Sequence, residues 1–339
     1  MAYPVGSSRL QSVTDSAPLA PRAGIDYPAT WQDFEVWFHD DEACRTYLAR
    51  LRWPEGFRCP ECTSDEAWET ARGLWMCGGC GRQTSVTAGT IFHRTRYPLR
   101  TWFAAMWFVC SQKTGASALG LKRVLGLGSY KTAWTWMHKL RRTMVRPDRD
   151  RLGGPGVAVE LDQTFVGGRS GVGKRSRYAN KAEVVIAVER LKPKGFGRVR
   201  MRRIGKDRKL EVFAFAKDSI APGSIVYTDG DQLYKDLPSE IGVTHERVVV
   251  SSAVDPAHIV LPGVHRVASL LDRWLAGTLH YGQSMAHIDY YLDEFTFRFN
   301  RRTSRSRGLL FYRLLQQAAN TDPHPLRELV ASGFEHEEW

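Results

Sequence analysis

The chain has 339 residues, with 48 Lys and Arg against 36 Asp and Glu, which gives a formal net charge of +12 at pH 7. Its 43% hydrophobic and 11% aromatic residues are enough to form a buried core, so the composition excludes a largely disordered basic tail. The length predicts one or two domains with small additional modules. The excess of positive charge favours a polyanionic partner, because phosphates neutralised by Lys and Arg release their counterions.

The first segment, residues 1–29, is rich in Ser, Ala and Pro and is predicted to be a flexible leader. It lacks the apolar core of a signal peptide. The most apolar stretch, 101–112, ends after about a dozen residues and is flanked by Arg100 and Lys113, whereas a membrane span needs about 18. We therefore expect a cytoplasmic protein with no membrane partner.

Four cysteines dominate the second segment, residues 30–95, which begins with a helical pattern over 30–51 in which Asp40 or Asp41 caps a second helix. Two Cys-x-x-Cys pairs lie fourteen residues apart, and they comprise Cys59, Cys62, Cys77 and Cys80. This spacing predicts a zinc ribbon with a structural Zn²⁺ ion. The alternative is two disulfides or scattered buried thiols. Cys44 and Cys110 have no partner at ligand spacing and are predicted to be core residues.

A helix-turn-helix is predicted within residues 96–146. A short helix over 116–125 precedes the break Gly126-Leu127-Gly128, and a longer helix follows from Ser129 to about Met144. This second helix is the predicted recognition helix, and its candidate DNA contacts are Lys131, His138, Lys139, Arg141 and Arg142. The alternative is that these residues form an ordinary solvated surface.

A linker over 147–155, rich in charge, Gly and Pro, marks the predicted domain boundary. Beyond it, strands are predicted over 157–161, 182–188, 199–204 and 224–227, and helices over 232–237, 264–276 and 284–299. This order predicts an α/β domain with a mixed sheet over 156–315, followed by a C-terminal tail over 316–339.

Two carboxylates follow predicted strands. Asp162 is placed at the end of the first strand and Asp229 at the end of a later one. Acids at the ends of neighbouring strands can converge and hold divalent cations through oxygen ligands, as in two-metal phosphoryl transfer. The alternative is that each Asp only caps a turn.

The order of these parts resembles the ISXO-type insertion-sequence transposases. The residues that carry the resemblance are the segments LDQTFVGG at 161–168 and YLDEFTFRFNRR at 291–302. It implies a multi-domain α+β and α/β protein with a zinc ribbon, a helix-turn-helix and an RNase H-like catalytic domain. It also implies a DDE-type triad that holds Mg²⁺ or Mn²⁺, with Asp162 as the first acid and Asp229 as the second. Gln163 stands where this family usually has Glu.

The third triad position departs from the family pattern. His265 stands where the resemblance implies Glu, Asn or His, and Asp272 stands where a Lys is usual seven residues later. Imidazole can ligate a divalent ion, although it suits Mg²⁺ less well than a carboxylate does. His265 is therefore the third catalytic candidate, with Asp272 as the alternative and Arg273 or Arg266 as substitutes for the missing Lys.

Further basic residues are candidates for contacts with DNA phosphates. They lie in the loop after the first acid, on the helix after Asp272 and at the end of the aromatic helix, and they are Lys174, Arg175, Arg273, Arg298, Arg301 and Arg302. The aromatic residues Tyr291 and Phe295 are predicted to face a core.

Together these features predict a nucleoid-associated bacterial transposase that acts on double-stranded DNA as a homodimer or a larger synaptic complex. The first alternative is a decayed or repurposed transposase that only binds DNA. A zinc-ribbon scaffold of a transcription or RNA complex is the second, but it leaves the acid-bearing strands unexplained.

Overall fold

The structure, a computed structural model, describes residues 20–146, 149–167, 181–248, 261–280 and 285–331. Its N-terminal part is helical, and four of its five helices begin at a residue whose side chain accepts a hydrogen bond from the first turn, namely Thr30, Asp40, Ser117 and Ser129. The helices are α1 (Trp31–Trp37), α2 (Asp41–Arg52), α3 (Leu99–Ser111), α4 (Ala118–Leu125) and α5 (Tyr130–Arg142).

The segment between α2 and α3 forms a three-stranded antiparallel sheet in the order β1 (Ala67–Glu69), β2 (Leu74–Cys77) and β3 (Gln83–Ser85). Trp53, Phe57 and Trp75 pack together beside it, with ring centroids 4.9–5.6 Å apart. This small aromatic cluster is separate from the main helical core.

The second part is built on a mixed five-stranded sheet in the order β10-β9-β5-β6-β7. Strand β5 pairs antiparallel with β6 and parallel with β9, and β9 pairs parallel with β10. The strands are β5 (Ala158–Val166), β6 (Ala182–Arg190), β7 (Phe196–Ile204), β9 (Ile225–Thr228) and β10 (Thr244–Arg247). Two short strands, β4 (Leu152–Gly153) and β8 (Ile220–Ala221), pair separately.

Helices cover both faces of this sheet, as the alternation along β6 requires. Val185 and Ala187 face α6 (Arg208–Ser219) and α7 (Leu237–Ile241). Val184 and Ile186 face α8 (Pro262–Leu279) and α9 (Ile288–Asn300). The predicted mixed α/β architecture with an N-terminal ribbon is confirmed.

The last helices return to the N-terminal part. Helix α10 (Arg307–Ala319) inserts Phe311 among the aromatic rings of α1 and α3, and α11 (Leu326–Ala331) packs against α5. The predicted boundary between residues 315 and 316 therefore falls inside a core helix, so the tail prediction is wrong over 316–319. Within the described ranges, no helix combines the length and the apolar character that a membrane crossing needs.

Candidate metal and nucleic-acid sites

The four ribbon cysteines converge on one point. Their sulfurs all lie within 4.8 Å of one another, and Sγ–Sγ distances are 3.7 Å for Cys59–Cys80 and 3.5 Å for Cys62–Cys77. A tetrahedral zinc ion with Zn–S bonds of about 2.3 Å separates its sulfurs by roughly 3.8 Å. All four thiols are free, which excludes the disulfide alternative in this structure. The donor set fits the predicted structural Zn²⁺.

Backbone N–H groups favour the thiolate form of Cys59. The backbone N–H groups of Cys62 and Glu61 lower the pKa of Cys59 to about 6. Gly79 approaches so closely that an added Cβ would lie 3.1 Å from Ser64 and 3.4 Å from the sulfur of Cys62. The glycine-rich second knuckle therefore meets a steric need.

Asp162 on β5 and Asp229, directly after β9, belong to two neighbouring parallel strands. The register pairs Ala158 with Ile225 and Glu160 with Tyr227, and its continuation by two residues would bring Asp162 opposite Asp229. Both follow the alternation onto the face covered by α8. Asp229 does follow β9, as predicted. Asp162 instead lies in the middle of β5, because the strand continues to Val166 through its pairing with β6.

The charge of Asp229 acts on the carboxyl group of Asp162. Burial raises the pKa of Asp162 to about 6, and the charges of Asp229, Asp231 and Glu160 add to this rise. Asp231 caps the 3₁₀ turn after β9 by accepting a hydrogen bond from the backbone of Leu233 at 2.9 Å. Carboxylates that lie close together repel one another, and a divalent cation between them would relieve this repulsion.

Glu160 was not predicted from the sequence, although it holds the helix that covers the acids. It is fully buried and accepts hydrogen bonds from the Arg190 side chain at 2.6 Å and from the backbone N–H of Val264 at 2.9 Å. Arg190 also lies over the ring of Tyr227. Glu160 therefore fixes the first turn of α8 two residues away from Asp162 along β5.

The two candidates for the third ligand, His265 and Asp272, lie apart from Asp162 and Asp229. His265 lies half-buried in the first turns of α8, next to the residue that Glu160 holds. Asp272 lies two turns later, where its carboxylate interacts with the backbone of Gly167 at the end of β5, and burial raises its pKa. Among the described residues, only the four cysteines form a cluster of three or more ligand atoms within 4.8 Å. Neither residue completes a compact triad with Asp162 and Asp229 in this geometry.

Gln163 points away from the acids, to the opposite face of the sheet. Its amide donates a hydrogen bond to the Tyr234 hydroxyl at 2.8 Å, and its oxygen accepts one from Arg208. Gln163, which stands where the family usually has Glu, therefore links β5 to Tyr234 and Arg208.

Helices α4 and α5 form the predicted helix-turn-helix. Gly126 ends α4 in the left-handed conformation at φ +63°, and Ser129 caps α5 by accepting a hydrogen bond from Thr132 at 3.0 Å. Tyr130, Lys131 and Arg123 are exposed at this end of the motif. The N-terminal end of α5 is therefore its accessible part.

Two of the predicted DNA contacts on α5 are wrong. His138 is fully buried among aromatic rings of α9, and burial lowers its pKa to about 2. Arg141 is 2% exposed and pairs with Glu294 at 2.8 Å. Lys139 is half-buried and donates to the carbonyl of Ile91 at 3.2 Å, and Arg142 is exposed and donates to the Tyr290 hydroxyl at 2.6 Å. A basic helix pattern cannot show which face packs against α9.

Arg298 is also wrong as a surface contact. It pairs with Glu294 at 2.8 Å and donates hydrogen bonds to the carbonyls of Val109 and Gln112, which end α3. Arg301 is half-buried over the ring of Phe297 and Arg302 is exposed beside Phe299. Arg273 is exposed on α8, while Lys174 and Arg175 lie outside the described residues.

Both parts of the fold match known protein families. Residues 39–83 match the transposase zinc-ribbon domain, and residues 151–300 match the ISXO2-like transposase domain. The chain resembles the ISXO-type insertion-sequence transposases. The second match covers the whole mixed sheet with α8 and α9, and thus Asp162, Asp229 and His265.

One relative supports the same resemblance over most of the chain. It is a protein of Halobacterium salinarum described as "Uncharacterized protein in transposable element ISH50". The two are 27% identical over 281 residues, an alignment that covers 77% of this chain and 91% of the relative. The predicted transposase resemblance is thereby confirmed.

Proposed function

We propose that the chain is a DDE-type transposase that binds the terminal inverted repeats of an insertion sequence and catalyses metal-dependent DNA cleavage and strand transfer. The observation that carries the proposal is the juxtaposition of Asp162 and Asp229 on neighbouring parallel strands, within the part that matches the ISXO2-like transposase domain.

Asp162 and Asp229 are the residues that hold the catalytic Mg²⁺ or Mn²⁺. Divalent ions bound there supply Lewis acidity to the attacking and leaving oxygens of a phosphodiester. Burial and the neighbouring carboxylates raise the pKa of Asp162, and a bound divalent cation would stabilise its ionised form. His265 is the third candidate, because it lies beside Val264, which Glu160 holds next to β5. Closer approach of His265 to the two acids would complete the site.

The reaction proceeds in two displacements. Water attacks the phosphorus at the element end, and the 3′-oxygen leaves with a proton as a free 3′-hydroxyl. This hydroxyl then attacks a phosphorus of the target DNA, and the target's own 3′-oxygen leaves. Both steps exchange one P–O bond for another, so neither needs an oxidant or a covalent protein intermediate.

The N-terminal part supplies DNA recognition. The exposed start of α5, with Lys131, presents side chains as the recognition helix of a helix-turn-helix does. Arg142, Arg273 and Arg302 are exposed cations that contact phosphates, and Lys139 contributes through the part of its side chain left accessible. Paired element ends require a homodimer or a larger synaptic complex, and binding to chromosomal DNA places the protein on the nucleoid.

The decisive experiment compares cleavage and binding in matched variants. Purified protein is incubated with duplex DNA that carries the flanking repeats and with Mg²⁺ or Mn²⁺. Asp162→Asn and Asp229→Asn lose end cleavage and strand transfer but still bind the DNA, whereas the control Asp231→Asn keeps measurable cleavage. Undiminished strand transfer in either of the first two variants refutes the proposal.

A DNA-binding protein without catalysis is the second candidate, and one observation favours it. No third ligand atom joins Asp162 and Asp229 within 4.8 Å among the described residues. Wild-type protein that binds the repeats but leaves their ends intact under all metal conditions would select this candidate.

A further inference from the structure

A cavity of about 290 Å³ lies where the end of the helix-turn-helix meets the catalytic domain. Five arginines line it, and they are Arg146, Arg149, Arg198, Arg200 and Arg301. A second cavity, of about 610 Å³, shares Arg146 and Arg301 and adds Arg313. Among the described residues that line either cavity, Asp150 is the one acid. We refer to the two together as the arginine cavity.

Two of these guanidinium groups, one buried and one half-buried, have no carboxylate partner in the described part of the chain. Arg200 is 6% exposed and donates hydrogen bonds to the carbonyls of Val199 at 3.0 Å and Asp150 at 2.9 Å. Arg301 is half-buried and donates to the carbonyl of Phe297 at 3.3 Å. Arg198, by contrast, is neutralised by Glu189 at 2.6 Å.

The arginines also repel one another. Burial lowers the pKa of Arg200 to about 10, and the charges of Arg149 and Arg198 contribute to the decrease. Burial lowers the pKa of Arg301 to about 10 as well, with further contributions from Arg146 and Arg313. Buried charges in proteins are normally paired, so the arginine cavity is suited to an anionic ligand.

Gln317 adds an unpartnered polar group to the same place. It lines both cavities, and within the described residues its buried amide oxygen has no hydrogen-bond partner. The oxygen and nitrogen of a side-chain amide exchange positions by a simple rotation. Gln317 can therefore present an N–H donor to an anion in the cavity.

We propose that the arginine cavity binds backbone phosphates of a DNA duplex that spans the helix-turn-helix and the catalytic domain, a proposal that rests on the proposed function. The planar guanidinium group matches a phosphate with paired hydrogen bonds. DNA is the source of phosphate that fits the location, because Arg146 follows α5 by four residues while Arg200 lies on β7 and Arg301 ends α9. One strand that touches both parts would fix the element end relative to Asp162.

The test measures how duplex affinity depends on salt, without Mg²⁺ so that no cleavage occurs. Each lost phosphate contact reduces the slope of log affinity against log salt by about one. The double variant Arg146→Gln/Arg301→Gln should therefore bind with a slope that is smaller by about two. The control Lys217→Gln removes an exposed charge on α6, outside the cavity, and should leave the slope nearly unchanged.

A second variant separates charge from packing. Arg146→Lys/Arg301→Lys keeps both charges and should restore most of the wild-type slope, which a purely structural role would not predict. Equal slopes in wild type and the Gln variant overturn the proposal. The assignment to DNA is also overturned if pyrophosphate raises the melting temperature of the wild type alone while the slopes stay equal, since the ligand is then a free phosphorylated molecule. Absence of cleavage with the slope difference intact contradicts only the proposed function.

Discussion

Arg141 and Glu294 form an ion pair of 2.8 Å that is almost fully buried between α5 and α9. Glu294 binds Arg298 as well, and Arg141 lies over the ring of Tyr291. Although burial alone would raise the pKa of Glu294, the guanidinium groups of Arg298 and Arg141 lower it. Helix α5 and helix α9 are thus joined by a buried ion pair in which Glu294 stays ionised at neutral pH.

Replacement of this acid should weaken the whole junction. Glu294→Gln leaves two buried guanidinium groups without their carboxylate, and we expect a loss of about 3–5 kcal/mol in the free energy of unfolding. The control is Asp236→Asn, which breaks the exposed pair with Lys209 and should leave the stability nearly unchanged. Denaturant unfolding in the presence of zinc measures the stability of both variants. A midpoint for Glu294→Gln equal to that for Asp236→Asn would contradict the expectation.

The raised pKa of Asp162 predicts a pH-dependent effect on the metal-free protein. The folded state holds this proton up to about pH 6, whereas the unfolded chain releases it near its ordinary value of 3.8. Stability from this group is therefore present at low pH and is lost as the pH rises through about 6. Asp162→Asn should stabilise the metal-free protein by about 1–3 kcal/mol at pH 8, and by much less at pH 4.

Thermal unfolding of wild type and variant at matched pH values checks this difference. Glu240→Gln, an exposed acid on α7, serves as the control and should show no such pH trend. Added Mg²⁺ should stabilise wild type more than Asp162→Asn. A variant whose advantage does not depend on pH would show that Asp162 is ionised at little cost.

Zinc removal should distinguish the six cysteines. Burial raises the pKa of Cys44 and that of Cys110 to about 12, so both thiols stay protonated and react slowly. After a chelator has removed the metal, iodoacetamide should label the four ribbon cysteines and leave these two unmodified. Mass spectrometry counts the labels. Cys62→Ser should lose zinc and Cys44→Ala should retain it; six rapid labels before unfolding would contradict this arrangement.

Replacement of Lys131 and replacement of Lys139, both on α5, should have different effects. Lys131 is exposed at the start of the helix, whereas Lys139 is half-buried and donates to the carbonyl of Ile91. Lys131→Gln should weaken DNA binding and reduce its salt slope by about one with unchanged stability. Lys139→Gln should mainly lower the melting temperature. Competition binding and calorimetry on both variants test this, and the reverse pattern would relocate the DNA-binding face.

Local signals explain why much of this fold is predictable from sequence. Two Cys-x-x-Cys pairs define the ribbon because each turn aims its own thiols, and Ser129 and Gly126 mark the ends of their helices through their own hydrogen bonds and conformation. Asp229 could be placed because a strand end is a local feature. The β5 extension past Asp162 depends on β6, which begins only at Ala182.

Features that depend on distant partners were not predictable in the same way. Glu160 and Glu294 are ordinary acids in sequence, and their importance comes from Arg190 and Arg141, which only the fold brings close. Helix α6 escaped prediction because apolar residues lie on both its sides: Phe215 is buried while Leu210 is 66% exposed. His138 and Arg141 match a DNA-binding pattern until α9 covers them.

Phe311 of α10 completes the core of the N-terminal helices. Its ring packs at 5.6 Å from Phe34 and 5.5 Å from Trp107, so the helical core that carries α4 and α5 closes only with a helix that begins at Arg307, far later in the chain. Contacts so distant in sequence form slowly, because a long loop must close first. A product of interrupted synthesis that ends before α10 would leave this core open. Only a chain translated through α10 would bury the rings of Phe34 and Trp107 against Phe311.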